Sequence, residues 1–295
     1  MRSLKINTDN IIKSIASLEL TKRGMVSFLH QYESKFLGSE TIEFFDYREY
    51  TPQDTPKTID WKASIRRGEL IVKETLIERE AEIIIVVDCG ANMLYGSINK
   101  LKVEYALEIA LGLSYLALMM GLNVGAVLYD DIIRGAVKPG SGMIQFDKIK
   151  HTLLKPTVFG HKSDINKTIP IIHSMVKRES VVIFLSDFIN FNESNKKTIE
   201  LLALQCRVKG VMIRDILDKK VPKGGHVWFK HPETNETILI DTHRIAAEYE
   251  STASQQEIKV TKDFMNSNAD IKKLYTNVDL LQNFRRLIYE KNVNV

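Results

Sequence analysis

Two runs of apolar, largely β-branched residues stand out in this chain, and both lead to an aspartate. Residues 83–87 precede Asp88, and residues 181–185 lead through Ser186 to Asp187. Runs without polar alternation are typical of parallel strands that are buried on both faces of a sheet. The sequence therefore predicts two central strands, each of which brings a carboxylate to the carboxyl edge of the sheet.

Helical patterns alternate with strand patterns over the rest of the chain. The segment at about 99–120 is apolar nearly all round, as expected of a helix that is buried against a sheet. The alternation predicts an α/β fold with a doubly wound, mostly parallel sheet and helices on both faces. The other predicted elements are strands at 123–129, 132–137, 208–214 and 271–276, a hairpin at 226–241, and helices near 143–154, 164–177, 195–206, 242–266 and 279–290.

The first 80 residues lack long apolar runs. Because so few apolar residues make a poor core alone, we expect this segment to fold onto the larger domain. The predicted organisation is an N-terminal extension over 1–80 and a main domain over 81–295. Trp61 is expected to anchor the core or the domain interface. The predicted elements of the extension are one or two amphipathic helices over 10–37, a strand at 41–50, a turn at 51–56, a helix at 58–66 and a strand at 70–74.

Composition and charge narrow the class of protein. The 295 residues are 44% hydrophobic and 26% charged, as in ordinary soluble proteins, and the net charge is only +4. Residues 1–80 carry 13 basic and 13 acidic side chains. Nucleic-acid binding is not expected, because phosphate contacts require clustered basic residues.

Location is predicted from cysteine use and from the absence of export and membrane signals. Cys89 and Cys206 make no disulfide framework, and the first residues lack a signal-peptide core. The apolar run at 105–122 contains Glu108, so a buried helix explains it better than a membrane span. We expect a cytoplasmic protein without a membrane span, and peripheral attachment to a membrane stays open.

Candidate chemistry lies at the ends of the two central strands. Asp88 and Asp187 are expected to flank one crevice, and the loop 160–164 between them supplies Ser163. Hard oxygen ligands of this kind suit Mg²⁺ or Mn²⁺. The alternative is structural: the two carboxylates cap helices or accept hydrogen bonds from loop amides.

Several sequence blocks carry a family resemblance. They are Arg48-Glu49-Tyr50-Thr51-Pro52-Gln53-Asp54, Ile59-Asp60-Trp61-Lys62-Ala63-Ser64 with Ile65-Arg66-Arg67-Gly68-Glu69-Leu70, Val72-Lys73-Glu74, Ser186-Asp187 and Val221-Pro222-Lys223-Gly224-Gly225. Together they resemble the signature of the bacterial family known as domain of unknown function 58. The resemblance implies a von Willebrand factor A-like domain. It also implies a non-enzymatic adaptor or co-chaperone that works with an AAA+ ATPase of the MoxR type.

The same resemblance implies a metal-ion-dependent adhesion site, which is built on an Asp-x-Ser-x-Ser motif, a later Thr and a second Asp. Asp88 matches the first aspartate, Ser163 stands for the Thr, and Asp187 matches the second aspartate. Gly90 and Asn92 replace the two serines of the motif, so one oxygen ligand is lost and another becomes an amide. The predicted site is therefore degenerate, with Asp88, Asn92, Ser163 and Asp187 as the candidate ligands of Mg²⁺.

Two functions follow from these residues. In the first, the crevice docks an acidic side chain of a partner protein, with or without Mg²⁺. The alternative is a metal-dependent phosphohydrolase with Asp88 as the nucleophile. Such enzymes need a second carboxylate two residues on, where this chain has Gly90, and no catalytic triad or phosphate-binding loop is present. The sequence thus favours the adaptor over the enzyme.

Overall fold

The computed structural model describes residues 6–17, 42–51, 59–77, 82–155, 160–177, 180–222, 224–230, 234 and 236–289. The chain forms two compact units, one of residues 1–31 and 81–295 and the other of residues 32–80. The domain boundary predicted after residue 80 stays a prediction. The predicted turn at 51–56, except for its first residue, and most of the predicted helix at 10–37 lie outside the described residues.

The described part of the chain contains the following strands and helices. The strands are β1 (Ile42–Glu49), β2 (Ile71–Ile77), β3 (Glu82–Asp88), β4 (Asn123–Tyr129), β5 (Ile133–Gly140), β6 (Val181–Ser186), β7 (Arg207–Arg214), β8 (His226–Lys230), β9 (Thr237–Asp241) and β10 (Asp270–Tyr275). The helices are α1 (Thr8–Ser17), α2 (Trp61–Arg67), α3 (Lys102–Met119), α4 (Met143–Leu153), α5 (Ile169–Met175), α6 (Glu193–Ala203), α7 (Thr242–Asn266) and α8 (Leu280–Tyr289). Short 3₁₀ helices lie at Ala91–Leu94, Ile165–Thr168 and Ile216–Asp218.

A six-stranded sheet forms the centre of the larger unit. Its strand order is β10-β7-β6-β3-β4-β5, and every neighbouring pair is parallel except β4 and β5. Strands β3 and β6 therefore occupy the middle of the sheet, where both faces are covered. This arrangement confirms the predicted α/β fold with a mostly parallel sheet.

Each face of the sheet supports its own hydrophobic core. Because side chains alternate along a strand, Ile83, Ile85 and Val87 of β3 point to one face, and Ile84 and Val86 point to the other. The first set packs in a cluster with buried residues of α1, α3, α4 and α8. The second set packs with buried residues of α5, α6 and α7. Helices thus cover both faces, as predicted.

Helix α3 is buried nearly all round, which confirms the interpretation of its apolar run. Fifteen of its 18 residues are buried, Glu108 among them. The ammonium group of Lys100 lies 2.6 Å from a carboxylate oxygen of Glu108 and compensates its burial. None of the described helices combines the length and the apolar character that a membrane span requires.

The predicted elements from residue 82 onward agree with the structure to within a few residues at their ends. The largest difference is the predicted helix at 164–177, which is a 3₁₀ turn followed by the short helix α5. Pro170 lies in the first turn of α5, where a missing N–H costs nothing. The Asp164 carboxylate accepts a hydrogen bond from the N–H of Asn166 and caps the 3₁₀ turn.

The described residues of the smaller unit form the antiparallel pair β1 and β2 with α2 between them in the chain. The Asp60 side chain caps α2, and Gly68 ends the helix in a left-handed conformation with φ of 76°. Trp61 is 62% exposed, so the expected core position is wrong, and its expected role at the domain interface stays a prediction. Trp61 is not a core residue because this two-turn helix buries only Ser64 among its own residues.

Candidate functional site

The candidate site lies at the carboxyl edge of the sheet, between the ends of β3 and β6. These strands are parallel neighbours with Val87 opposite Leu185, so Asp88 and Ser186 follow at the same edge. The chain continues from β3 to β4 on one side and from β6 to β7 on the other. A crevice opens at such a switch point, which is where open α/β sheets bind ligands.

Asp88 is buried at the base of this crevice, with 4% of its surface exposed. The N–H of Gly90 donates a hydrogen bond to its Oδ1 at 2.8 Å, and the hydroxyl of Ser186 donates to its Oδ2 at 2.6 Å. Burial raises the pKa of Asp88 to about 6, and the charge of Asp187 adds to the rise. Asp88 therefore titrates much closer to neutral pH than an exposed aspartate does.

The four residues predicted from the sequence meet in one small cavity, which we call the inner pocket. Asp88, Asn92, Ser163 and Asp187 all line it, although they come from three separate segments of the chain. Its volume is about 30 Å³, enough for roughly two water molecules. The structure thus brings the predicted set together.

Two further lining residues, Tyr129 and Ser186, were missed by the sequence reasoning. Tyr129 ends β4 directly opposite Asp88, and burial raises the pKa of its phenol. The hydroxyl of Ser186 donates to Asp88 and accepts a hydrogen bond from the N–H of Phe188. Both carry a hydroxyl at the carboxyl end of a largely buried strand, and that position was the available signal.

A buried lysine neutralises the second aspartate from within the protein. Lys102 is the first residue of α3, and its Nζ lies 2.7 Å from Oδ2 of Asp187 and 3.1 Å from Oδ2 of Asp218. Burial opposes its charged form, but the charges of Asp187 and Asp218 outweigh this cost and raise the pKa of Lys102. The N–H of Ile189 donates to the other oxygen of Asp187 at 3.1 Å. Both oxygens of Asp187 therefore have donors inside the protein.

Gly90 is required by the packing of the crevice. A Cβ at this position would lie 2.7 Å from Cβ of Ser163 and 3.1 Å from Oδ1 of Asp88. Contacts between carbon atoms are normally about 3.5–4.0 Å. Ser163 thus fills the space that a serine side chain at position 90 would need, so the loss of that hydroxyl is built into the local structure.

These residues fit a tightly bound Mg²⁺ poorly. Mg²⁺ demands near-ideal octahedral coordination by oxygen atoms at about 2.0–2.1 Å. Gly90 supplies no side-chain oxygen, Asn92 supplies only an uncharged amide, and the Lys102 ammonium already balances the charge of Asp187. A dication beside Asp187 would also be repelled by that ammonium group. The set lacks both the oxygen atoms and the free negative charge of a strong magnesium site.

A larger cavity, which we call the outer groove, adjoins the inner pocket. The two share Ser163, Asn190 and Asn195. The outer groove has a volume of about 590 Å³, within the range of protein cavities that bind ligands. Its lining is formed by Asp131, Lys162, Ser163, Asp164, Asn166, Lys167, Asn190, Asn192 and Asn195.

Hydrogen bonds between side chains hold the wall of the outer groove. The amide group of Asn166 donates to the Ser194 hydroxyl at 3.1 Å and accepts a hydrogen bond from the Thr198 hydroxyl at 2.6 Å. The side chain of Asn192 caps α6 by accepting hydrogen bonds from the N–H groups of Ser194 and Asn195. The groove is therefore largely formed before any partner binds.

A second group of acidic residues lies near the loop at 160–164. Ligand atoms of Asp130, Asp131 and His161 all lie within 4.8 Å of one another. The Arg134 guanidinium donates to both oxygens of Asp130 at 2.7 Å and to Asp131 at 2.8 Å. Because this cation already bridges the two carboxylates, we assign no metal to the group.

The relatives of the chain are similar along almost its whole length. Two proteins, each described as uncharacterized, come from Mycobacterium bovis and Mycobacterium tuberculosis. Each is 22% identical to this chain over a region that covers 96% of this chain and 90% of the relative.

Among solved structures, similarity is weak. The conserved hypothetical protein BatB of Bacteroides thetaiotaomicron is 14% identical with a TM-score of 0.44, over 70% of this chain and 97% of its own. An aerotolerance-related membrane protein of Bacteroides fragilis is 15% identical with a TM-score of 0.41, over 70% and 96%. These scores carry no argument about function.

The family model described as "Protein of unknown function DUF58" matches residues 46–259, more than half of the chain, and the chain belongs to this family.

Proposed function

We propose that this protein is a non-enzymatic adaptor or co-chaperone that docks a partner protein at the carboxyl edge of its sheet. The observation that carries the proposal is the meeting of Asp88, Asn92, Ser163 and Asp187 in the inner pocket, directly beside the outer groove. A concave, polar and preformed surface at a switch point suits recognition of a protein segment.

The fold is proposed to be von Willebrand factor A-like. A mostly parallel sheet with one antiparallel edge strand, β5, and helices on both faces supports this assignment. The position of Asp88 at the end of β3 also agrees with the first aspartate of an adhesion-type site. The site of this chain is degenerate. Gly90 stands where the motif has a hydroxyl ligand, and the Lys102 ammonium supplies the positive charge beside Asp187 that a metal ion would otherwise supply.

The geometry favours docking over the alternative, a metal-dependent phosphohydrolase. A nucleophilic carboxylate must reach a phosphorus atom, but Asp88 is 4% exposed and both of its oxygens accept hydrogen bonds. Its partner in catalysis would be an acid two residues on, where Gly90 stands. Asp187 offers no replacement, because Lys102 and the N–H of Ile189 hold its oxygens.

The proposed partner is an AAA+ ATPase of the MoxR type, and the proposed location is the cytoplasm, in solution or at the membrane surface. The support for this partner is the family resemblance of the sequence blocks around Trp61. Docking requires no catalytic group, which agrees with the enclosed state of the carboxylates.

Co-purification of the ATPase with the tagged full chain tests the proposal. Ser163 lines both cavities, so Ser163→Tyr is expected to block the docking face and to remove most of the bound ATPase. Asp88→Ala is expected to weaken binding as well. Ser174→Tyr, at an exposed position of α5, is the matched control. Undiminished binding by the Ser163 and Asp88 variants, with melting temperatures near that of the wild type, would remove the docking face from this edge.

A further inference from the structure

We infer that the outer groove binds an acidic segment of the partner through Lys162 and Lys167, without a metal ion. This inference rests on the proposed docking function and specifies the chemistry that the partner presents. It differs from a metal-bridged contact, in which a partner carboxylate would complete the coordination of a cation in the inner pocket.

The two lysines are the charged groups of the groove whose ammonium groups are available to a partner. Both are exposed, and among the described residues neither has an ion pair or a side-chain hydrogen bond. Each ammonium group offers three N–H donors. Two such groups on one preformed wall are suited to carboxylates, which accept charge-assisted hydrogen bonds.

The acidic residues of the groove are already engaged. Asp131 accepts a hydrogen bond from the Arg134 guanidinium at 2.8 Å. Asp164 accepts a hydrogen bond from the N–H of Asn166 at 3.0 Å and caps the adjacent 3₁₀ turn. The six N–H donors of the two ammonium groups outnumber the remaining carboxylate oxygens of Asp131 and Asp164, and this favours an acidic occupant over a basic one.

The inner pocket cannot take the partner carboxylate itself. Its volume is about 30 Å³, room for roughly two water molecules, and the Asp88 carboxylate at its base would repel a second carboxylate in the absence of a bound cation. The ammonium group of Lys102 does not relieve this repulsion for a partner, because its side chain is 1% exposed and lies between Asp187 and Asp218. A partner carboxylate is consequently directed to the outer groove.

Fluorescence anisotropy with a fluorescein-labelled hexaglutamate peptide tests the inference on the full chain in the presence of EDTA. Hexaglutamate is expected to bind, and labelled hexaglutamine is not. The double variant Lys162→Glu with Lys167→Glu is expected to weaken binding about tenfold or more, because it removes two charge-assisted contacts and places two like charges against the peptide. The control, Lys148→Glu with Lys262→Glu, changes the net charge equally at exposed positions of α4 and α7 and is expected to bind like the wild type.

Three results would overturn the inference. The first is an equal loss in both double variants, which means that the peptide senses only net charge. The second is binding that disappears in EDTA and returns with Mg²⁺. The third is hexaglutamate binding that is absent, or unaffected by the change at Lys162 and Lys167.

Co-purification with the ATPase separates this inference from the proposed function. If the wild type retains the ATPase and the Lys162/Lys167 double variant retains it equally, the docking function stands and the lysine contact is wrong. If the wild type retains no ATPase, the proposed function fails, and the anisotropy measurements judge the groove independently.

Discussion

Replacement of Asp88 by Asn is expected to increase stability, relative to the wild type, more at pH 7.5 than at pH 4. The pKa of Asp88 is raised from 3.8 to about 6, first by burial and then by the charge of Asp187. A raised pKa means that the folded state binds the proton more tightly than the unfolded state. The stability that this group contributes is fully present below pH 3.8 and is lost as the pH rises through 6.

The size of the effect follows from the shift. A difference of about two pKa units corresponds to roughly 3 kcal/mol between protonated and ionised Asp88. Asn has the same size, and its oxygen can still accept the hydrogen bond from Gly90. Any loss of the bond to Ser186 is the same at every pH, so the pH dependence of the difference isolates the charge.

Urea unfolding of the wild type and of Asp88→Asn at pH 4 and at pH 7.5 measures this effect. The free energy of unfolding of the variant, minus that of the wild type, should increase by roughly 2–3 kcal/mol between the two pH values. Asp147→Asn, at an exposed position of α4, is the control and should show no such increase. A difference in the free energy of unfolding that is constant with pH would refute the raised pKa of the buried Asp88 carboxylate.

Three other perturbations test the structure of the crevice. Lys102→Met leaves Asp187 and Asp218 without their cation and should lower the free energy of unfolding by about 3–5 kcal/mol. Its control, Lys259→Met, removes an exposed ion pair and should cost about 1 kcal/mol or less. Gly90→Ser should cost about 1–3 kcal/mol in the same assay because of the close Cβ contact, and Gly224→Ser, with open space around it, is its control. Mg²⁺ should leave the melting temperature unchanged. A ligand at 100 times its Kd would add about 2.7 kcal/mol to the free energy of unfolding. A rise in melting temperature with Mg²⁺ that Asp88→Asn removes would contradict the poor fit of the inner pocket to this ion.

The central sheet could be predicted because its strands are buried on both faces. Such strands appear in the sequence as unbroken apolar runs, and the residue that ends each run lies at the carboxyl edge. Asp88 and Asp187 followed directly from this pattern. Asn92 was assigned only through the family resemblance, since loop residues carry no periodicity. Ser163 was assigned from that resemblance and from its place in the hydroxyl-bearing loop between the two strands.

Lys102 could not be predicted because its role depends on contacts between distant segments. Asp187 is 85 residues further along the chain, and Asp218 is 116 residues away. In the sequence, Lys102 is simply a polar residue at the start of an apolar helix. Only the folded sheet shows that this lysine is buried and compensates an aspartate at the candidate site.

The outer groove was missed for the same reason. Its walls come from the loop at 160–168 and from the segment at 188–195, which are joined by the hydrogen bond between Asn166 and Ser194. Neither segment has a motif that indicates a cavity. For Trp61 only the core position was wrong, because its large apolar side chain predicts burial that the short helix α2 does not provide.

Site-specific photo-crosslinking to the MoxR-type ATPase tests the central claim most directly. A photoreactive amino acid at position 192 would stand on the wall of the outer groove, and one at position 148 would stand on the exposed side of α4. Docking at the outer groove predicts a crosslinked product with the ATPase from position 192 and none from position 148. A product from position 148 alone, or from neither position while the ATPase is bound, would contradict docking at this edge of the sheet.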